Sequence, residues 1–501
     1  MNLKHRWQTL CALEPERGAV EWRGEWHSWR AMQGVSQQLQ QLLAANHINA
    51  AAPVGVLMRN RPAHLAAALS VLGTERCLVM INPFQGAAKL AQEIRTLRVP
   101  VLVADEEDWR HAEISAAVAH VGTLGVSLGL AAARALPELP ATMEAGSASN
   151  AGEIAIQMLT SGTTGPAKRI ELRRRSFERA MDNALAYESG GGEVRLKDGV
   201  ALCTGPLVHI GALLLALSSM MNGRAIALME KFNVREFVDL VVRHRPKVAP
   251  LTPTAVRMIF DAEVPKERLS SLVAVRIGTA PIDPQLRDAF EARYGIALLD
   301  AYGATEFAGG VAGWTLQDYR KLKHEKRGSV GRMQPGCEAR SVCVETGEVL
   351  PPGKPGLLEF RADHIGTGAW IRTSDLGCVD ADGFLFLQGR ADDAINRGGF
   401  KVLPADVEAV LRKHPAVADA AVVGLADSRL GHVPVAAVEL RENVSAPTAD
   451  ELLQFAREHL TSYQVPSRVC IVAELPRTPS MKVSQPAVRA LFESSAASPS
   501  Q

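Results

Sequence analysis

Thr160-Ser161-Gly162-Thr163-Thr164-Gly165-Pro166-Ala167-Lys168 is the stretch from which the rest of the chain is read. The residues before it, Glu153-Ile154-Ala155-Ile156-Gln157-Met158-Leu159, alternate so that Ile154, Ile156 and Met158 share one face, which predicts a half-buried strand. The residues after it, Arg169-Ile170-Glu171-Leu172, alternate again, so the stretch reads as a loop between two strands. Glycines at 162 and 165 let backbone approach a ligand closely, while Thr160, Ser161, Thr163 and Thr164 offer hydroxyls and Lys168 a positive charge. Such a loop suits a polyphosphate, and its composition equally suits a plain surface turn. It is not a Walker A loop, because Gly-x-x-x-x-Gly-Lys-Ser/Thr cannot be laid over it.

With 501 residues, 47% of them hydrophobic and 22% charged, the chain is long enough for two or more domains. Lys plus Arg number 55 against 54 Asp plus Glu, which gives no basic field for a nucleic-acid backbone. The seven cysteines (Cys11, Cys77, Cys203, Cys337, Cys343, Cys378 and Cys470) are scattered and form no Cys-x-x-Cys pair, so neither a disulfide framework nor a zinc site is expected, and a reducing cytoplasm fits. Met1 to Leu13 holds no apolar targeting core, and the longest apolar runs, Ile210 to Leu217 and Val121 to Ala133, are too short to span a bilayer.

Periodicity predicts a Trp-bearing strand pair from Glu21, an amphipathic helix through Met32, Val35, Leu39 and Leu42, a buried strand Val54–Met58, a helix Pro62–Gly73, a strand Cys77–Ile81, a helix Ala87–Leu97 and a strand Val99–Ala104. That alternation is a doubly wound α/β sheet. Ala145 to Gly152 is a small-residue linker, and a second α/β round follows with strands at Val200–Thr204, Ala225–Met229, Val248–Leu251 and Val273–Ile277 and a helix at Ala212–Met221. The end of the chain reads as a compact α+β unit, with helices after Pro404 and after the capping-box sequence Thr448-Ala449-Asp450-Glu451.

Further motifs follow the loop in order: Pro206-Leu207-Val208-His209-Ile210-Gly211, Gly278-Thr279-Ala280-Pro281, Asp300-Ala301-Tyr302-Gly303-Ala304-Thr305-Glu306, Thr373-Ser374-Asp375, Gly389-Arg390-Ala391-Asp392-Asp393 and Pro476-Arg477-Thr478-Pro479-Ser480-Met481-Lys482. Singly, each has an ordinary reading as a strand-closing loop, turn or polar linker, and a lone histidine or lysine is more often packed or solvated than functional. In this order and at these separations they resemble the adenylate-forming superfamily of acyl-CoA synthetases, luciferases and peptide-synthetase adenylation domains, most closely its acyl- or aryl-CoA ligases.

The resemblance implies a large N-terminal domain of doubly wound sheets (1–390), a smaller mobile α+β lid (391–493) and a disordered tail (494–501). It implies that Thr160 to Gly165 and Lys168 hold the ATP phosphates, with Gly278, Ala280, Pro281, Asp300, Ala301 and Gly303 around the nucleotide and Tyr302 on the adenine. Thr305 would bond phosphoryl oxygens, Glu306 hold Mg2+, Asp375 the ribose hydroxyls, and Arg390 lie near ribose and phosphate. Asp392 would be the pivot and Lys482 the catalytic lysine, with Gly399 and Lys401 near coenzyme A. His209 would stand beside the carboxylate being activated, with Val208, Gly211, Ala212 and Ala308 in a roomy acid pocket for an aryl, cyclic or medium-chain acid. Gly328-Ser329-Val330-Gly331-Arg332 is read as structural and the basic run Arg320 to Arg327 as a solvated face.

The expected reaction is attack of a carboxylate on Mg-ATP to give an acyl-AMP, then transfer to coenzyme A, by a monomer or homodimer. An amide-forming synthetase, loading of a carrier protein and a silent ATP-binding regulator remain open. The chain departs from the superfamily pattern at Met481 and Arg169, where glycines are usual, at Pro166, which comes one position early, and at Gly211, likewise one early. Gly125-Val126-Ser127-Leu128-Gly129 fits a serine-hydrolase elbow, but small apolar residues match that pattern easily by chance and it explains none of the other motifs.

Overall fold

Val54–Leu57, Leu78–Ile81 and Val101–Asp105 are buried at every position, as parallel strands covered on both faces must be. They lie at the centre of a seven-stranded sheet whose order is Ala133–Ala135, Leu124–Leu128, Val101–Asp105, Val54–Leu57, Leu78–Ile81, Ile154–Thr160, Lys168–Arg173. The five inner strands are parallel and the two outermost pair antiparallel. Helix Pro62–Leu72 has His64 and Ser70 as its only polar residues and all 11 of its residues are buried, which places it inside the large part of the chain. The computed structural model describes residues 2–50, 52–129, 132–141, 152–160, 168–186, 194–278, 280–307, 309–362, 368–398, 400–441, 444–478 and 481–494.

The Trp-bearing hairpin, Gly18–Trp22 with Glu25–Ser28, does not stand alone. It adds to Arg224–Leu228 and Lys197–Cys203 in a four-stranded sheet, so the start of the chain pairs with its middle. A nine-stranded sheet begins with Val248–Leu251, Ala274–Ile277 and Ala297–Ala304 in parallel and then continues antiparallel through Gly309–Gly313, Ser329–Met333, Phe384–Arg390, Ile371–Val379, Gly356–Ala362 and Cys337–Val342. The last unit is a five-stranded sheet of Phe400–Val402, Ile395–Arg397, Gly431–Leu440, Val417–Asp427 and Arg468–Val472. Its own core includes Val407, Leu411, Val422, Val438 and Leu452. The capping box opens helix Ala449–His459 as read: Glu451 N–H donates to Thr448 Oγ1 at 3.2 Å and Thr448 N–H to Glu451 Oε2 at 2.7 Å.

Several expectations are corrected. Helix Leu3–Leu13 was not anticipated, although Leu3, Trp7, Leu10 and Cys11 carry the spacing and are all buried. Asp300 to Ala304 are not a strand-closing loop but the end of strand Ala297–Ala304, because Ala301 to Ala304 find a partner in Gly309–Gly313. Asp375 lies within strand Ile371–Val379 and not in a loop. The basic run is partly neutralised, with Lys323 3.0 Å from Glu291, Lys326 2.8 Å from Asp380 and Arg327 2.6 Å from Asp288. Ser494 closes a helix, Gln485–Ser494, that was not anticipated, and the rest of the expected tail lies outside the described residues. Ser127, in the hydrolase-like pentapeptide, is buried inside strand Leu124–Leu128 and offers no exposed nucleophile. Gly331 fits its structural reading: at φ +107° a side chain there would lie 2.1 Å from the Gly313 carbonyl carbon.

Candidate active site

The motif residues come from four places that the sheets bring together. The hairpin Ile154–Thr160 and Lys168–Arg173 closes with Thr160 opposite Lys168, so both ends of the loop are fixed. Ser161, Gly162, Thr163, Thr164 and Gly165 lie outside the described residues, as do Ala308 and Gly399. Arg169, which stands where the superfamily carries glycine, makes an ion pair of 2.6 Å with Glu93 on helix Ala87–Leu97 and ties the strand after the loop to the body of the domain.

Gly278 follows strand Ala274–Ile277, and Ala280 and Pro281 lead into helix Pro284–Tyr294. In the neighbouring strand Asp300 turns its carboxylate onto Arg287, and burial raises its pKa against the pull of that guanidinium. Its side chain is therefore committed within the domain. Ala301 and Gly303 follow along the same strand, where a Cβ on Gly303 would meet the Gly309 carbonyl oxygen at 2.3 Å, so the strands approach only because that residue is glycine.

Tyr302 reaches across the sheet. Its hydroxyl donates to Asp375 Oδ2, and its ring packs 5.2 Å from that of Phe360. Burial first, then the Asp375 charge, pushes the phenol pKa up, so the hydroxyl keeps its proton. Asp375 is paired in register with Arg390, whose Nη1 is 3.8 Å from Asp375 Oδ1. Arg390 also holds Asp392 through two bonds, Nε to Oδ1 at 2.9 Å and Nη2 to Oδ2 at 2.7 Å. That fork raises the Arg390 pKa, and it lowers that of Asp392 although burial opposes the fall. Thr305 and Glu306 form a single turn beyond the strand; Glu306 is exposed and the Thr305 side chain half-buried.

His209 opens helix Ile210–Met221 from the N-cap position. The turn before it is clamped by the buried Asn60, which accepts from Leu207 N–H at 2.7 Å and donates to the carbonyls of Gly205 at 2.9 Å and Met229 at 2.8 Å. Sequence reasoning missed Asn60, whose signal is one amide between a buried strand and a buried helix. The His209 Nε2 is buried with no partner, and burial followed by the charge of Lys482 brings the imidazole pKa down to about 4. Val208 is buried beside it, Ala212 is half-buried, and a side chain on Gly211 would meet nothing within 4 Å. On Gly278 it would meet only the Ala301 carbonyl oxygen, at 3.9 Å.

Lys482, from the C-terminal unit, sits in this cleft. It is open to solvent yet ringed by protein, and desolvation followed by the charge of Arg390 lowers its pKa. Met481 beside it has φ +63°, a left-handed conformation natural to the glycine of the superfamily pattern and strained for methionine. Lys401 lies in strand Phe400–Val402, on the sheet of the C-terminal unit. Among the described residues no group of three or more His, Cys, Asp or Glu could hold a metal ion by itself. A cavity of about 260 Å3 lined by Arg61, Asp105, Glu107 and Arg110 includes none of the nucleotide-motif residues, and in it Arg61 pairs with Asp105 at 2.7 Å and with Glu107 at 2.6 Å.

The depressed His209 pKa carries a pH dependence. Unfolded, the ring titrates near 6.5; folded, near 4, so the unfolded chain binds the proton more tightly in between. The stability tied to this group is complete above about pH 6.5 and is lost as pH falls through about 4. Urea unfolding at pH 7 and pH 4.5 should therefore cost the parent chain about 2 kcal/mol more than a His209→Gln variant. Equal pH slopes would count against a buried neutral imidazole.

A family model for AMP-binding enzymes matches residues 7–370, and one for the AMP-binding enzyme C-terminal domain matches 406–482. The chain is 34% identical over 352 residues to 4-coumarate–CoA ligase 1 of Solanum tuberosum, a match that covers 66% of this chain and 64% of that protein. It is 31% identical over 435 residues to 4-coumarate–CoA ligase 5 of Oryza sativa subsp. japonica, covering 82% of this chain and 79% of the other. ATP-bound MatB from Rhodopseudomonas palustris shares the fold with a TM-score of 0.82, 22% identity, and coverage of 98% of this chain and 99% of MatB. No helix among the described residues is long and apolar enough to cross a membrane.

Proposed function

The chain belongs to the AMP-binding enzyme family, and on that premise we propose that it activates a carboxylic acid with ATP and passes the acyl group to coenzyme A. The observation that carries the proposal is the cleft itself. Lys482 of the lid lies close enough to His209 at the helix start to help lower the imidazole pKa, and Arg390, at the end of the strand before the lid, helps lower the Lys482 pKa and sits 3.8 Å from the carboxylate of Asp375, to which Tyr302 donates. A cleft in which two cations, Arg390 and Lys482, adjoin a carboxylate–phenol pair suits an anion joined to a nucleoside.

In the proposed first step a carboxylate oxygen attacks the α-phosphorus and the bond to pyrophosphate breaks, leaving an acyl-AMP. Neutral His209 would offer its unpartnered nitrogen to the acid, and Lys482 and Thr305 would stabilise the charge that grows on the phosphoryl oxygens. The loop from Thr160 to Lys168 would hold the phosphates. Glu306, exposed on its turn, fits as a ligand of Mg2+ shared with phosphate oxygens, since the described protein groups form no complete metal site. The ion would supply charge neutralisation there.

In the second step the coenzyme A sulfur, after losing its proton to solvent, attacks the acyl carbon and AMP leaves. We place the domain division at 390/391 and the pivot at Asp392, with Gly399 and Lys401 near the coenzyme. The open space at Gly211 and Gly278 supports an aryl, cyclic or medium-chain acid, and the names of the plant relatives favour an aryl one. Product analysis with and without coenzyme A tests the acceptor: a thioester formed only with the coenzyme supports the reading, and an amide formed from an added amine would replace it.

Asp375 is assigned the ribose hydroxyls. Asp375→Ala should raise the KM for ATP roughly 10- to 100-fold, the worth of a charged hydrogen-bonding contact, and leave the KM for the acid nearly unchanged. Equal effects on both would remove the assignment.

A further inference from the structure

A catalytic lysine carried on a moving unit is useful only if something holds its loop in place while the first step occurs. The described ends of the loop are tied together: Thr478 N–H donates to the Lys482 carbonyl at 2.7 Å and Met481 N–H to the Thr478 carbonyl at 2.8 Å. Arg477 and Val483 form a bridge at its base. Met481 is left-handed, and its carbonyl carbon is bonded directly to the nitrogen of Lys482.

The carbonyl is met from the other side of the cleft. Thr254 stands in the first turn of helix Pro253–Asp261, which Thr252 caps at the end of strand Val248–Leu251. Its hydroxyl donates to the Met481 carbonyl oxygen at 3.1 Å and accepts from Arg477 Nη1 at 3.2 Å. A hydroxyl has one proton to give and lone pairs to receive, so both bonds are made at once. Arg477 is itself fixed in the lid by Asp419, 2.9 Å from Nη2, and Asp419 is held by Arg412 Nε, also at 2.9 Å. A set of bonds therefore runs from the half-buried Arg412–Asp419 pair of the lid through Arg477 to the Thr254 hydroxyl on the large domain and on to the Met481 carbonyl, which Arg477 Nη1 also faces at 3.5 Å.

We propose that Thr254 is the latch of the adenylating arrangement: a positioning residue that seats the Met481–Lys482 peptide for acyl-AMP formation and must let go before the lid turns for acyl transfer. This rests on the two-step reaction proposed above. Because the latch is local to one conformation, its loss should slow the first step and spare the second. A general loss of packing would slow both.

The test compares Thr254→Val, which keeps the shape and removes the hydroxyl, with Thr254→Ser, which keeps the hydroxyl. Thr254→Val should lower kcat for acid-dependent pyrophosphate release roughly fivefold to tenfold, about the worth of a hydrogen bond, with the KM values for ATP and acid within about twofold of the parent. Thioester formation from presynthesised acyl-AMP and coenzyme A should proceed at the parental rate or faster, and Thr254→Ser should restore the first step. Cleavage by trypsin within Arg477–Lys482 reads loop release with no substrate present and should quicken in Thr254→Val. Parental adenylation by Thr254→Val, equal loss in both steps, failure of serine to rescue, or an unchanged cleavage rate would each overturn the latch. A parent chain that releases no pyrophosphate with any acid would instead overturn the reaction on which it rests, while the trypsin comparison still decides whether Thr254 holds the loop.

Discussion

Lys482→Ala is expected to cut acid-dependent acyl-AMP formation by roughly 100-fold or more, with little change in the binding of ATP or acid. The lysine is open to solvent in a cleft where desolvation, and then the charge of Arg390, lower its pKa. Charge placed there is worth most when negative charge grows opposite it, which occurs in the transition state and not in the bound substrates. The defect should be bypassed by presynthesised acyl-AMP, from which thioester forms at the parental rate. An unchanged rate of pyrophosphate release would mean that the strained Met481–Lys482 turn has lost its catalytic use.

Asp392→Pro should have the opposite signature. Proline fixes φ, and the substitution also removes the carboxylate that Arg390 grips through two bonds, so the chain would be stiffened where it leaves strand Phe384–Arg390. Acyl-AMP formation should persist, since the lid already stands over the cleft, while thioester formation falls by roughly 100-fold, on the scale of a lost catalytic element. Asp392→Ala separates the two contributions: it removes the grip without stiffening the chain and should retain acyl transfer. Transfer at the normal rate in Asp392→Pro would place the pivot elsewhere.

Much of this was legible in the sequence because the signals are local. The alternation around Ile154 and Ile170, the capping box at Thr448 and the run of apolar strands from Val54 each declare themselves within a few residues. What was not legible depends on distant partners. Ala301 to Ala304 extend as strand only because Gly309–Gly313 lies alongside, and Asp375 is in a strand because Ile371–Val379 is paired on both sides, with Gly356–Ala362 and with Phe384–Arg390. Asn60, Thr254 and Arg477 are ordinary polar residues until the fold brings them to the turn before His209 and to the Met481 carbonyl. Asp300, next to a nucleotide-like motif, looked available, but Arg287 had already claimed it. The departure at Met481 was visible as a missing glycine; that the backbone there remains left-handed was not.

The most direct test is pyrophosphate release from Mg-ATP by the full chain, measured without coenzyme A over a panel of aryl, cyclic and medium-chain carboxylic acids. Release is expected that at least one acid stimulates, that requires Mg2+, and that Lys482→Ala lowers by roughly 100-fold or more. Release that no acid stimulates, in a chain that still binds ATP, would contradict it and leave an ATP-binding regulator in its place.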